Sequence, residues 1–352
     1  VKAKSIFILW LMSTIFFIST SGQDIVDDVF NKGNTLCDQG KYDEAIREYD
    51  RVIKFNPFIA EAWNNKGVAL INLEKYDAAL KALDKAIEID SGMAEAWNNK
   101  GNVLYVQGKY EESIQAYDRA ISIDSFSELA EAWNNKGNAL DAQGKYDEAI
   151  QAYNKALEIN PQSGAPWCGK GDVLYAQGKY DEAIEAYDKA IWIDPLLAGP
   201  WNGKGAIFYA QSKYDEAIRA YDRAIKIDPQ LTEAWNNKGN ILMRLNRYGE
   251  AVQAYSKSLT INPLDADAWY NKGAALINLE KYDEALSALN KSIERNPRDA
   301  KAWNSKGNAL KALGRITEAE AVFARAKELG SSILDASEDT SEISSTFPIK
   351  RV

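Results

Sequence analysis

Asparagine recurs at two fixed distances from a repeated tryptophan. One residue after it stand Asn64, Asn98, Asn134, Asn202, Asn236 and Asn304, and five after it stand Asn102, Asn138, Asn240 and Asn308, with Asn34 in an opening copy. A carboxamide both donates and accepts, the complement of a peptide bond's C=O and N–H. Asparagine is a mediocre helix former, so its repetition inside a helix works against local preference. A column of such groups suits an extended backbone and has little regard for its side chains. Each bond nets only ~0.5–1.5 kcal/mol, so micromolar binding requires many in series. A further asparagine, two after the tryptophan, recurs as Asn31, Asn65, Asn99, Asn135, Asn237 and Asn271. For that position, ligand contact and packing between neighbouring helices both stand open.

Charge narrows the ligand. Two residues before the tryptophan stand Glu61, Glu95, Glu131, Glu233 and Asp267, with Asp27 in the opening copy and only Lys301 opposing them. Asp38, Asp141 and Asp172 add to this side, against Arg244 and Lys311. An acidic wall repels a C-terminal carboxylate and favours a neutral or basic protein or peptide segment. Two copies depart together: GAPWCGKGDVLY and AGPWNGKGAIFY place Gly169 and Gly203 at the further-asparagine position, with Tyr175 and Tyr209 eight after the tryptophan. Small residues beside aromatics predict a recess for a bulky ligand side chain. Trp192 stands at a usually exposed position, which raises a second contact surface or self-association.

Other chemistry is excluded. The 352 residues contain no histidine, so an imidazole base, a histidine triad and a histidine metal site are ruled out. Cys37 and Cys168 are far apart in the chain and are read as separate thiols, and no zinc or iron–sulfur spacing exists. No metal or cofactor is expected. The acids recur with the repeat instead of standing as a unique catalytic pair. A net charge of −9 argues against nucleic acid, which normally meets a basic face.

These residues need elements to hold them. Tryptophans fall at positions 63, 97, 133, 167, 201, 235, 269 and 303, a constant spacing apart from one longer gap between Trp97 and Trp133. The two extra residues of that gap lie within 125–129, and Val29 marks a degenerate first copy. Taking one copy, Trp133, Gly137 and Leu140 share one helical face, and Gln143-Gly144 ends that helix. Lys145-Tyr146-Asp147-Glu148 opens a second helix with acids in its first turn, and Asn160-Pro161 stops it. Neither helix buries its apolar face alone, so the pairs must stack. The tryptophan is expected in the core and the glycine where helices approach closely. On a helical wheel, the residues one, five and eight after the tryptophan and two before it cluster about a third of a turn away from it. They form a stripe that core packing is not expected to use. The lysine of the pentapeptide, Lys32 to Lys306, lies across the helix, its stem covering apolar surface and its ammonium reaching an acid.

The chain resembles the tetratricopeptide repeat family. The pattern is carried by Trp201, Gly205, Tyr214, Ala217, Tyr221, Ala224 and Pro229, with most copies matching as fully across 26–330. Departures include Val29 for Trp, Ile316 for Tyr, and Ser91 and Ser125 for Pro. The resemblance implies an all-α fold, a right-handed α-solenoid of nine stacked helix-turn-helix repeats whose first helices line a concave groove. It also implies a noncatalytic binding scaffold. The asparagines two after the tryptophan are similar to a substrate-contacting ladder in the repeat arrays of O-linked N-acetylglucosamine transferases. A carboxylate clamp would need Lys and Arg in the groove, where this chain has acids. The alternatives are a self-associating structural solenoid and a substrate-binding subunit of a separate enzyme.

The ends differ from the array. Lys2 and Lys4, the apolar run from Ile6 to Ile18 and the small residues at 19–22 describe a secretory signal peptide over 1–22, or a membrane anchor, and so an exported protein. Any membrane contact is expected through that segment alone. Residues 331–352, rich in Ser, Asp and Glu, read as a disordered tail.

Overall fold

A computed structural model of the chain describes residues 26–123 and 129–330. The expected leader, the tail and nearly all of the two-residue insertion lie outside them. Among the described residues eighteen helices make nine pairs, with no strand. They fall into two compact units, one ending at Gln162 and the other beginning at Ser163. The first unit holds α1 (26–38), α2 (Tyr42–Phe55), α3 (Ala60–Asn72), α4 (Tyr76–Ile89), α5 (Ala94–Val106), α6 (Tyr110–Ile123), α7 (Leu129–Ala142) and α8 (Tyr146–Ile159). The second holds α9 (Gly164–Ala176), α10 (Tyr180–Ile193), α11 (Ala198–Ala210), α12 (Tyr214–Ile227), α13 (Thr232–Arg244) and α14 (Tyr248–Ile261). It continues with α15 (Ala266–Asn278), α16 (Tyr282–Arg295), α17 (Ala300–Ala312) and α18 (Ile316–Glu328). No described helix is long and apolar enough to cross a membrane.

The boundaries follow local chemistry. First helices end two residues before one with a left-handed backbone: Gly144 has φ 74°, its N–H donates to the Asp141 carbonyl at 2.8 Å, and the Lys145 N–H reaches Leu140 at 2.9 Å. This double bond satisfies carbonyls the helix leaves open. Second helices stop at an Asn or Asp whose carboxamide or carboxylate accepts from the backbone N–H two residues on, as Asn56 does from Phe58 at 3.0 Å and Asp228 from Gln230 at 2.8 Å. That turn competes with another helical residue and wins.

The core is built on the second helix. Tyr49, Tyr117, Tyr153, Tyr187 and Tyr255 are its largest fully buried side chains, flanked by buried alanines such as Ala116 and Ala120. Each ring lies on the glycine of its partner helix: a Cβ at Gly101 would stand 2.4 Å from Tyr117. The close-approach reading of that glycine therefore holds. A buried ring removes ~150–250 Å² from water, about 4–6 kcal/mol at ~25 cal/mol per Å² as an upper bound.

The tryptophans meet the core at its edge: Trp63, Trp201, Trp235 and Trp269 pack against its buried clusters without being enclosed. Trp63, Trp97, Trp133, Trp167, Trp201, Trp235, Trp269 and Trp303 are all half-buried. The indole N–H bonds to the preceding loop: Trp63 donates to the Pro57 carbonyl at 2.9 Å, and Trp235, Trp269 and Trp303 do the same to Pro229, Pro263 and Pro297 at 3.0–3.1 Å. The pentapeptide lysine covers the ring face, with Lys136 5.1 Å from the Trp133 centroid and Lys66 5.3 Å from Trp63. The ammonium then crosses the seam to an aspartate on the preceding second helix: Lys66 to Asp50, Lys136 to Asp118 and Lys238 to Asp222 at 2.6 Å. The lysine behaves as its helical direction predicts.

Candidate functional site

The asparagines five after the tryptophan are tied to the core. Asn102 accepts from the Tyr117 hydroxyl at 2.8 Å, Asn138 from Tyr153 at 2.8 Å, Asn240 from Tyr255 at 2.7 Å and Asn34 from Tyr49 at 2.9 Å. A buried phenol requires an acceptor, and this side chain provides it. The sequence carries the same signal, except that Tyr221 stands opposite Ala206. Where the tyrosine is Leu83 or Leu289, the asparagine is Val68 or Ala274, and Asp172 serves Tyr187 at 2.6 Å. Asn308 is half-buried and faces a copy in which Phe323 replaces the tyrosine.

The asparagines two after the tryptophan link one repeat to the next. Asn65 donates to Asn34 at 3.0 Å, Asn99 to Asn64 at 3.0 Å, Asn135 to Asn102 at 3.0 Å and Asn271 to Asn240 at 3.5 Å. The packing alternative therefore describes this position.

Those one after the tryptophan are deeper than the wheel implies. Asn64, Asn202 and Asn304 are buried, as is Asn240 four residues along its own helix, so packing does use the stripe. Neighbouring first helices touch each other, which the wheel of a single helix does not show. Asn98 and Asn236 are half-buried and bond to acids of the next repeat, Glu131 at 3.2 Å and Asp265 at 3.1 Å. Asn202 accepts from Asn237 at 3.4 Å. Asn134 donates to Asn135 at 3.4 Å, while the buried oxygens of Asn134, Asn236 and Asn304 have no protein donor.

What remains outermost is charge. Glu61, Glu95 and Glu131 in the first unit and Asp267 in the second are exposed, and Glu233 is half-exposed. Their carboxylates stand at first turns, where the helix dipole favours them.

Tyr175 and Tyr209 are half-buried in the second unit. Each lies beside the tyrosine that opens the second helix, with centroids 5.7 Å apart for Tyr175 and Tyr180 and 6.0 Å for Tyr209 and Tyr214. The Arg244 guanidinium sits 6.0 Å from the Tyr209 ring and 5.8 Å from Tyr214. Burial, with Tyr180 and Tyr209 nearby, pushes the Tyr175 phenol above its usual range. The expected recess is not formed at Gly203. A Cβ there would meet the Tyr187 ring at 2.3 Å and its hydroxyl at 2.5 Å, so the missing side chain admits that tyrosine instead. Tyr105, also eight after its tryptophan, is a third member of the set, 5.5 Å from Tyr110. The same spacing that marks Tyr175 marks it.

Cys37 and Cys168 form no disulfide, and burial pushes the Cys168 thiol well above its ordinary value. Among the described residues no group of three or more acids or thiols is placed to hold a metal.

Comparison with known proteins agrees with this geometry. Tetratricopeptide repeat profiles match residues 30–94, 92–162, 152–185, 232–264 and 270–332, and a TPR repeat profile matches 171–212 and 205–246. No curated protein matches the chain. Among solved structures, the APC/C hetero-tetramer Cut9-Hcn1 is similar at a TM-score of 0.60 and 17% identity over 80% of this chain. This chain covers 55% of that one's length. Pseudomonas aeruginosa pilF is similar at a TM-score of 0.53 and 21% identity, over 59% of this chain and 94% of that one. At such identities the likeness is one of fold. With matched profiles running over nearly all of the described residues, the chain belongs to the tetratricopeptide repeat family.

Proposed function

We propose that the chain is a noncatalytic protein-interaction scaffold whose first-helix faces hold an extended, neutral or basic polypeptide segment. The exposed acid row carries this reading: Glu61, Glu95 and Glu131 stand at one repeated position, outside a layer of asparagines already bonded to one another. A regular row of like charges offers the same contact at each step, which suits a ligand with no fixed fold of its own. The half-buried Tyr175 and Tyr209 add an aromatic surface in the second unit. The basic, apolar and small residues in order over 2–22 support an exported scaffold, serving assembly of an envelope or membrane complex.

Binding of fluorescent unstructured peptides to the full chain tests this. A lysine-containing peptide should bind more tightly than its glutamate counterpart and weaken as salt rises. The triple variant Glu61→Gln, Glu95→Gln, Glu131→Gln should lower that affinity about tenfold, from three rim charges of ~0.5 kcal/mol each. Equal binding of the two peptides, or an unaffected triple variant, overturns the reading. Oligomers that form with concentration and bind neither peptide favour a self-associating solenoid.

A further inference from the structure

Five seams are closed by a lysine–aspartate pair: Lys66–Asp50, Lys100–Asp84, Lys136–Asp118, Lys204–Asp188 and Lys238–Asp222. Three seams keep the lysine and lose the acid: the Trp167 seam, where Asn154 stands at the position facing Lys170, and the last two. Ser256 faces Lys272's position and Asn290 faces that of Lys306. Ser256 turns its hydroxyl to the Val252 carbonyl of its own helix, at 2.6 Å. A second ammonium, Lys291, lies 4.3 Å from the Trp269 centroid, on the ring that Lys272 approaches at 5.3 Å. Burial, and then Lys291, lower the Lys272 pKa, and burial, then Arg315, lower that of Lys306. The neighbouring acids belong to other cations: Glu284 pairs with Lys281 at 3.2 Å and Glu318 with Arg315 at 2.6 Å, with Asp283 close by. Beside Lys306 a cavity of about 440 Å³ opens, lined by Ser287, Asn290, Leu310 and Val322 among others.

We propose that the acidic stretch Asp335, Glu338, Asp339 and Glu342 of this chain docks along the last two seams and supplies the anions that Ser256 and Asn290 do not. Charge and reach both carry the assignment. The protein is acidic overall, yet Lys272, Lys291 and Lys306 gather around α16 with no ion pair among the described residues. The described chain ends at Gly330, immediately after α18, whose Glu318 and Val322 line the same cavity. Residues 331–342 span up to ~40 Å when extended, and α18 is ~20 Å long, so Asp335 reaches along α18 and Glu338, Asp339 and Glu342 reach back past its start. Tethering holds them at roughly millimolar effective concentration, which a separate acidic peptide would have to match. This docking uses none of the acid row and does not rest on the proposed function.

Lysine acylation footprinting of the full chain, read by mass spectrometry, tests it. Lys272, Lys291 and Lys306 should react roughly threefold to tenfold more slowly than in the variant Asp335→Asn, Glu338→Gln, Asp339→Asn, Glu342→Gln, with the difference lost in high salt. Lys66 and Lys238 serve as controls that do not change. Carbodiimide coupling should join the stretch to Lys291 or Lys306 within one copy. Equal acylation in both proteins overturns the proposal. Couplings found only between isotopically mixed copies overturn it too, and assign the seams to a second molecule.

Discussion

At the scale of single residues, the pair Asn102–Tyr117 decides how the amide row is understood. Removing the amide leaves a buried phenol without an acceptor, a loss of ~1–3 kcal/mol, while removing both partners costs far less. Asn102→Ala should lower the urea midpoint clearly, and adding Tyr117→Phe should recover most of that loss. Additive losses in that double-mutant cycle would show the two groups act separately. The chain already contains the double replacement, as Val68 with Leu83 and Ala274 with Leu289. The amide spacing is visible in sequence, but its purpose lies fifteen positions further along, on a different helix. A wheel drawn for one helix cannot show a partner supplied by the next.

At the scale of elements, helix ends are the most legible feature. Gln143-Gly144 and Asn160-Pro161 mark stops that fall where expected, at Ala142 and Ile159. Less legible are the stops without glycine. Glu74, Ser212 and Glu280 adopt φ of 56–59°, a left-handed conformation disfavoured by ~1–2 kcal/mol for residues with a Cβ. Part of the gain from relieving it is offset because glycine also loosens the unfolded chain. Glu74→Gly, Ser212→Gly and Glu280→Gly together should therefore stabilise the array by about 1.5 kcal/mol, seen as a higher urea midpoint. A lower midpoint would mean that the side chains at these stops contribute more than the backbone strain removes. Periodicity turns the tryptophan toward the core, as found, but does not show that part of the ring stays accessible.

At the scale of the whole molecule, stability is tied to keeping a set of phenols neutral. Burial raises the pKa of Tyr49, Tyr117, Tyr187, Tyr221 and Tyr255 above the ordinary value. A raised folded pKa leaves stability intact below about pH 10, where the unfolded phenol titrates, and removes it as pH climbs toward the folded value. Each buried ring adds up to ~1.4 kcal/mol per pH unit to the slope, so unfolding should be steep in alkali. Helical circular dichroism and tyrosinate absorbance should change together, and Tyr221→Phe should flatten the transition. Tyrosinate absorbance from these rings appearing while the helices persist would contradict it. Repeat number, helix pairing and the tyrosine–alanine face all follow from the sequence period. The seams do not, because they depend on which side chains meet across two repeats. Those seams also make the protein its own optical gauge. The indoles of Trp63, Trp97, Trp235, Trp269 and Trp303 each emit from between a loop carbonyl and a lysine, so their colour and quenching depend on whether that one seam is closed. The buried N–H of Trp201 has no such carbonyl. Its emission should sit apart from that of these five, as one unmatched lamp in the row.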